Sequence, residues 1–599
     1  MKTQQGKQAK AADSATETGG FSIRRAGLAA AISLVLLAVT ACSTSHYRKS
    51  ADKDVYESID LMQKALFGES EDFSVDTRYS KREIEEIMAS EIIQDRMEDG
   101  VLNLDLEGAL RVATEFSREY QNDKEALYLS ALNLEGAELA FFTVFSGKST
   151  AKIERVNDGG RPGYDAKGTI NNDGTARKLF RTGGMITASL GNDLISYFTG
   201  DPKRSLINAL TLNISQPLLR GAGRSIVGNS LLQAERNLIY QCRQHAFFQN
   251  QFAVGIVKDY FSLLGAKNNL RNNYTNYLRR VESRRRTEAR GQFFDKPVEA
   301  QLAISAELTA KSSYIRSVTD YQRDLDNFKL KLGVPLTAGV YLDDSDLVDL
   351  DAAGLPTTAV DADKAVETAI SSYLPLLNEI DRYEDRKRNV RIKANEFLPG
   401  LDFKSDASLS WDDEENYVNF DVDEVLANSR LELDLPINRW KARNEYRDLI
   451  IKFEAGIRAL AKNLDDRRNA VVNGIRQLER DRNLYLNSVE AVKNATARVE
   501  EQNLRSQAGL VDQQTYIFAQ DELIREQNTM TSTLVSVLSR QLDLKLNIGV
   551  LDASRKKFWL DRGIMGAEGG KTDAVEPKTA DDIKLIPPDE LFQENENTD

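Results

Sequence analysis

The chain has 599 residues, 29% of them charged, with a net charge of −13, which excludes a cationic nucleic-acid footprint. It holds two histidines and two cysteines, too few for a zinc site or thiol–histidine catalysis, so no metal or cofactor is expected. There is no run of about 20 apolar residues, so no membrane-spanning helix is expected in the mature chain.

Residues 1–41 read as an export signal, because Arg24 and Arg25 precede an apolar run from Ala26 to Ala41. Val39-Thr40-Ala41-Cys42 resembles a bacterial lipobox, in which the cysteine takes acyl chains, palmitate among them, and becomes the mature N-terminus. The other reading is a signal peptide with an incidental cysteine. By resemblance to bacterial sorting, the adjacent Ser43 does not favour retention at the inner membrane. Residues 42–103 are charged without a sustained period, which predicts a lipidated tether with short helices such as Asp54–Phe67.

Residues 104–334 form the first of two similar units. Ala109, Leu110 and Ala113 share one helical face, and that helix continues to about Phe142. The stretch Gly147–Gly184 is rich in Gly, Asn, Asp and Lys and is expected to be loop, with room for a further strand near Phe141–Ala151. Strands are expected over about 185–216: Ile186, Ala188 and Leu190 alternate with polar residues, as do Leu210, Leu212 and Ile214. Each run has about the 9–11 residues a tilted membrane strand needs, although a half-buried soluble hairpin alternates in the same way. No proline occurs from Leu218 to Lys296, which suits a long helix reversing at a tip near Gly291. Pro297 suits the first turn of a return helix, which ends at Leu332-Gly333-Val334-Pro335. Residues 335–362 form a linker with Asp343, Asp344, Asp346 and Asp349, whose spacing does not match a calcium loop, so a solvated acidic segment is expected.

Residues 363–551 repeat the order. A helix carries Ala365 and Ala369, Leu398-Pro399 precedes strands at about 400–411 and 430–436, and Pro436 opens a second long helix. In that helix Phe453, Ile457, Leu460, Leu464, Val471, Ile475 and Leu478 hold a near-heptad stripe, interrupted by Arg467 and Arg482. A helix from Pro436 to Gln507 would be roughly 100 Å long. It turns at Ala508-Gly509 and returns through Tyr516 to Ile548. Residues 552–599 are polar and acidic, for which disorder is the expectation.

This duplicated order resembles the outer-membrane efflux protein family, the TolC-like channels, over about Leu104–Leu551. The residues carrying the resemblance are Ser215-Gln216-Pro217-Leu218-Leu219-Arg220-Gly221, Leu398-Pro399, and two tips in which Gly291 with Val298 and Gly509 with Tyr516 share one spacing. The resemblance implies a mainly α fold with a β-barrel segment: two tandem repeats of antiparallel coiled-coil helices, plus about four transmembrane strands per protomer. Four strands cannot close a barrel and would leave unpaired edges in lipid, so a homotrimer supplying about twelve strands is expected. The helices would continue the tube through the periplasm. A periplasmic adaptor and an inner-membrane pump would dock at the tips, at Gly291, Val298, Gly509 and Tyr516. The best-known member lines its closed entrance with acids where this chain has Pro297, Thr515 and Phe518. Asp295 and Asp512 are the nearby acids that would take their place, unless they are plain turn or cap residues.

The function implied is a passive exit duct of a tripartite efflux or type I secretion system, without chemistry of its own. A non-conducting periplasmic scaffold lipoprotein is the alternative, but it leaves the two amphipathic strand pairs without a role. No nucleophile–base pair, phosphate loop or metal cluster is evident. Cys242 reads as a small packing residue, and His245 three residues on falls short of a metal site.

Overall fold

The computed structural model describes residues 44–70, 72–97, 100–157, 164–197, 204–294, 297–356, 360–412, 425–508 and 513–564. The export signal, Cys42, Asp295, Gly509, Asp512 and residues 565–599 therefore lie outside the described residues.

Helices α1 (Thr44–Phe67) and α2 (Ala89–Met97) precede strand β1 (Val101–Leu104). The first repeat comprises α3 (Leu106–Phe116), α4 (Arg118–Leu139), β2 (Thr143–Asn157), β3 (Tyr164–Leu179), β4 (Met185–Tyr197) and β5 (Arg204–Pro217). It continues through a short α5 (Arg224–Val227), the long α6 (Asn229–Phe294) and the return helix α7 (Pro297–Leu332). β6 (Gly339–Leu342) and α8 (Ser345–Ala352) join it to the second repeat. That repeat comprises α9 (Ala362–Ser372), α10 (Leu374–Asn395), β7 (Gly400–Asp412), β8 (Leu426–Asp434), α11 (Trp440–Gln507) and α12 (Gln513–Ile548). The long helices have 66 and 68 residues. At about 1.5 Å per residue each is roughly 100 Å long. The return helices α7 and α12 pack along one part of α6 and α11, and α4 and α10 along the rest.

The two return helices end alike, and this explains why the sequence repeats there. Gly333 has φ of 80° and Gly549 φ of 85°, a left-handed conformation that glycine adopts without a Cβ penalty. Val334 N–H donates to the Lys329 carbonyl at 3.1 Å, and Val550 N–H to the Lys545 carbonyl at 3.1 Å, so both ends are Schellman caps. Lys329 and Lys545 are buried and donate to backbone carbonyls, those of Leu336 and Asp561.

Between the repeats, β1 and β6 pair in parallel, Val101 opposite Gly339 and Leu104 opposite Leu342. The main core collects here: Leu106, Tyr260, Phe261, Phe328, Leu332, Leu478, Leu538 and Ile548 are buried together. The 335–362 segment is thus a built element, in place of the solvated linker expected. Its acids have protein partners: Asp344 pairs with Lys267 and Arg271, and Asp346 accepts from the Tyr260 hydroxyl (2.6 Å) and the Leu106 N–H (3.0 Å).

Three further expectations are corrected. Residues 44–67 are not a tether: Val55 and Ile59 of α1 are buried against Leu127, Ala131 and Leu238, an intermittent stripe that the surrounding charge hid. The expected disorder does not begin at 552: Phe558, Trp559 and Ile564 are buried in the main core, and Arg562 donates to the Leu350 carbonyl. Gly291 is not itself a turn, because α6 continues through it to Phe294.

The largest difference is in the sheet, which has six strands in the order β2-β3-β4-β5-β7-β8 instead of the four expected, every pairing antiparallel. The stretch expected to be loop is a hairpin, β2 against β3 from Thr143–Lys178 to Asn157–Tyr164. Its alternation sets charged residues against small ones, with Gly147 and Gly174 facing each other, so the contrast that marks a strand is weak there. The sheet is open in a single chain, with β2 and β8 at its edges.

Candidate functional site

Because opposed residues of an antiparallel pair share a face, the register defines both surfaces of the sheet. One row on the first face runs Phe145, Ala176, Ala188, Leu212, Ala407, Ala427, crossing all six strands. The same face carries Ile153, Ile170, Leu190, Leu210, Phe403, Leu431 and Leu433, all exposed to solvent in the single chain. A matching row on the opposite face runs Ser146, Thr175, Ser189, Thr211, Ser408, Leu426, and that face holds the cross-strand ion pairs Lys404–Glu432 (2.7 Å) and Arg430–Asp406 (2.6 Å). Apart from a polar row on the first face, Ser149, Asn172, Asn192 and Asn208, one surface is mainly apolar and the other polar, which on strands of this length is the pattern of a barrel wall between lipid and water.

At the other end of the molecule, a polar seam joins α6 to α12. Asn268, Asn272 and Arg280 lie on one face of α6 at multiples of four residues. Asn268 donates to the Thr531 hydroxyl (3.0 Å) and Asn272 to the Asn528 side chain (2.8 Å). Arg280, with only 2% of its surface exposed, donates to the Ile517 carbonyl (3.0 Å) and to Asp521 (2.5 Å). Farther from the tip, Lys258 pairs with Asp543 at 2.8 Å. Within the hairpins, Arg284 ties α6 to Glu307 of α7, and Arg498 ties α11 to Glu522 of α12. A cleft of about 630 Å³ opens beside the seam, lined by Asn273, Asn276, Thr309, Asp521 and Asn528 among others. Half-buried asparagines and a buried arginine across a helix interface hold a defined register more than they add stability. Sequence reading followed the apolar stripe and missed this one, although Asn268, Asn272, Asn276 and Arg280 recur every fourth residue.

Of the residues singled out from sequence, Val298 lies exposed on the first turn of α7, and Tyr516 is partly buried on the first turn of α12. Phe518 is exposed close by. Cys242 is buried beside Leu238 and Leu127, and burial pushes its thiol pKa up to about 12, which leaves it unreactive. His245 is buried and shares a hydrogen bond with Asp123 at 2.5 Å. No group of three or more metal-ligating side chains occurs among the described residues.

Where α6 meets α10, Asp385 is buried among Arg236, Arg388, Gln233 and Tyr240. Burial alone would raise its carboxyl pKa, but the hydrogen bonds from Tyr240 and Gln233 and the two guanidinium charges outweigh it and hold the pKa below the usual range. Burial and the Asp385 hydrogen bond push the Tyr240 hydroxyl up to about 12.

These parts make up one class of architecture: long paired helices carrying an amphipathic antiparallel sheet at one end. No family model matches the chain, and no curated protein does. Solved structures do. The Campylobacter jejuni CmeC outer membrane channel is 12% identical, with 77% of this chain and 90% of that one covered at a TM-score of 0.55. The Vibrio cholerae outer membrane protein VceC is 12% identical, with 74% and 96% covered at 0.54. The Neisseria gonorrhoeae MtrE outer membrane channel, in its open state, is 12% identical, with 77% and 90% covered at 0.52. The fold of this chain is that of the TolC-like outer-membrane channels.

Proposed function

We propose that the chain is one subunit of a homotrimeric exit duct in the outer membrane. The sheet joins its copies in a lipid-embedded barrel, and the helices extend the conduit into the periplasm. One observation carries this reading: the largely apolar face of the sheet, with Phe145, Leu190, Leu212, Phe403 and Leu431 exposed and a polar row, Ser149, Asn172, Asn192 and Asn208, crossing it. A soluble protein does not leave so large an apolar surface in water. No described helix is long and apolar enough to cross a membrane, so the sheet is the part of the described chain suited to lipid. An adaptor and an inner-membrane pump would engage the tips around Gly291, Val298, Gly509 and Tyr516, with Asp295 and Asp512 at the entrance. Transport would be passive, and small molecules or polypeptides are the cargo classes the architecture admits.

The test is current across a planar bilayer. The purified assembly is expected to give discrete, reproducible conductance steps. A folded, inserted trimer without steps would favour the non-conducting scaffold and end the duct reading.

Lipidation at Cys42 adds an acyl anchor, which the lipobox resemblance supports. Cys42→Ser is expected to abolish incorporation of labelled palmitate. Undiminished labelling of that variant would place the acyl chains elsewhere, and an unlabelled wild-type chain would remove them from the account.

A further inference from the structure

We propose that the β2–β3 hairpin is part of the pore wall, so that three copies close a barrel of eighteen strands, with β2 of each copy pairing against β8 of the next. This rests on the homotrimeric duct proposed above and specifies the interface that closes it.

The hairpin is laid against the sheet as a wall strand would be. β3 pairs with β4 without a break from Lys167–Tyr197 to Leu179–Met185, the full length of β4. Its base, at Thr143 and Lys178, stands level with Ile186 and Ile214 at the base of the neighbouring strands. Its faces match too. Phe145, Ala151, Ile153 and Ile170 continue the apolar surface of β4 and β5, while Lys148 opposite Asp173 and Val144 opposite Arg177 lie on the polar one. The match is one of bias: Ser149 and Asn172 interrupt the apolar side of the hairpin, where Asn192 and Asn208 interrupt that of β4 and β5, so the polar row too runs on from the hairpin into the sheet.

Closure follows from the edges. Five antiparallel steps separate β2 from β8, so the two edge strands run in opposite directions. Rotation about a barrel axis preserves those directions, and β8 of one copy therefore meets β2 of the next in antiparallel register. Closing through β4 instead would require the β3–β4 ladder to be broken, or β2 and β3 to be left as an open edge in lipid.

Girth agrees. With strands about 4.8 Å apart and tilted about 40°, twelve strands make a cylinder roughly 24 Å across and eighteen one of roughly 36 Å. Below the sheet, α4, α6, α10 and α11 pack side by side in each copy. Twelve such helices at about 9–10 Å spacing form a ring also roughly 36 Å across. Eighteen strands therefore fit the helical tube; twelve helices also carry twelve strands in channels of this fold, so girth permits the wider wall and the strand ladders and faces select it.

Disulfide mapping in the full-length assembly tests this. In a Cys242→Ala background, one cysteine is placed on β8, at Ala427, Asn428, Ser429 or Arg430. It is combined with one on β2 (Ser146, Gly147, Lys148, Ser149 or Thr150) or one on β4 (Thr187, Ala188 or Ser189). Opposed residues of antiparallel strands lie about 4.5–5.5 Å apart at Cα, within disulfide reach, so scanning finds the register without knowing it beforehand. Oxidation is expected to give covalent dimers and trimers for a subset of the β8–β2 pairs and none of the β8–β4 pairs, with single-cysteine variants as controls. Links from β8 to β4 would overturn the eighteen-stranded wall while leaving the homotrimer intact. No inter-chain link in either set, in protein that is folded and membrane-inserted, would overturn the wall and the trimer together.

Discussion

Gly333→Ala is expected to destabilise the chain by about 4 kcal/mol or more, enough to remove folded assemblies from the membrane fraction. Two causes add. The residue sits at φ of 80°, where an L side chain loses about 1–2 kcal/mol. In addition, a Cβ there would lie 2.0 Å from the Phe116 carbonyl oxygen, and that atom is backbone, unable to rotate away. Gly549→Ala meets the same pair of costs at the matching end of α12, where the Ser372 carbonyl stands 2.7 Å from the new carbon. Gly354→Ala is the control: its φ is 74°, yet nothing lies within 4 Å, so only the backbone term of about 1–2 kcal/mol remains. Thermal unfolding of the three variants checks the order. Equal losses at Gly333 and Gly354 would show that close approach to α3 does not matter.

Arg280→Ala is expected to free the tip of α12 from α6 and raise the open fraction of the channel. The buried side chain donates to the Ile517 carbonyl and to the half-exposed Asp521, and hydrogen bonds from a charged donor contribute about 1.5–3 kcal/mol each, the one to Asp521 less because water screens it. In a duct that opens by parting α12 from α6, losing about 3 kcal/mol of closed-state preference would shift the open-to-closed ratio by roughly a hundredfold. Asp521→Asn, which keeps the carbonyl contact and removes only the charge of a half-exposed partner, is expected to do much less. Single-channel recording separates the outcomes. An Arg280→Ala channel with wild-type conductance and open probability would mean that the seam does not govern the entrance.

The two long helices were readable in the chain because both stretches are free of proline, and in the second a near-heptad stripe over so many residues has few other solutions. The strands β4, β5, β7 and β8 were readable because Leu and Ile alternate there with Ser, Thr and Asp. The hairpin β2–β3 was not, since glycines and lysines dilute the alternation until the pattern looks like a loop. The seam at Arg280 was not, because polar residues on a helix ordinarily face water and only the partner helix shows which of them do not.

What the sequence alone determined is the order of elements and its duplication, since period and punctuation are properties of neighbours along the chain. Which polar residues are buried, which acids are structural and how many strands share the sheet were decided only in the tertiary structure. Burial, partner and sheet edge are relations between segments hundreds of residues apart, as Arg562 to Leu350 and Lys258 to Asp543 illustrate. Local spacing carries no record of them.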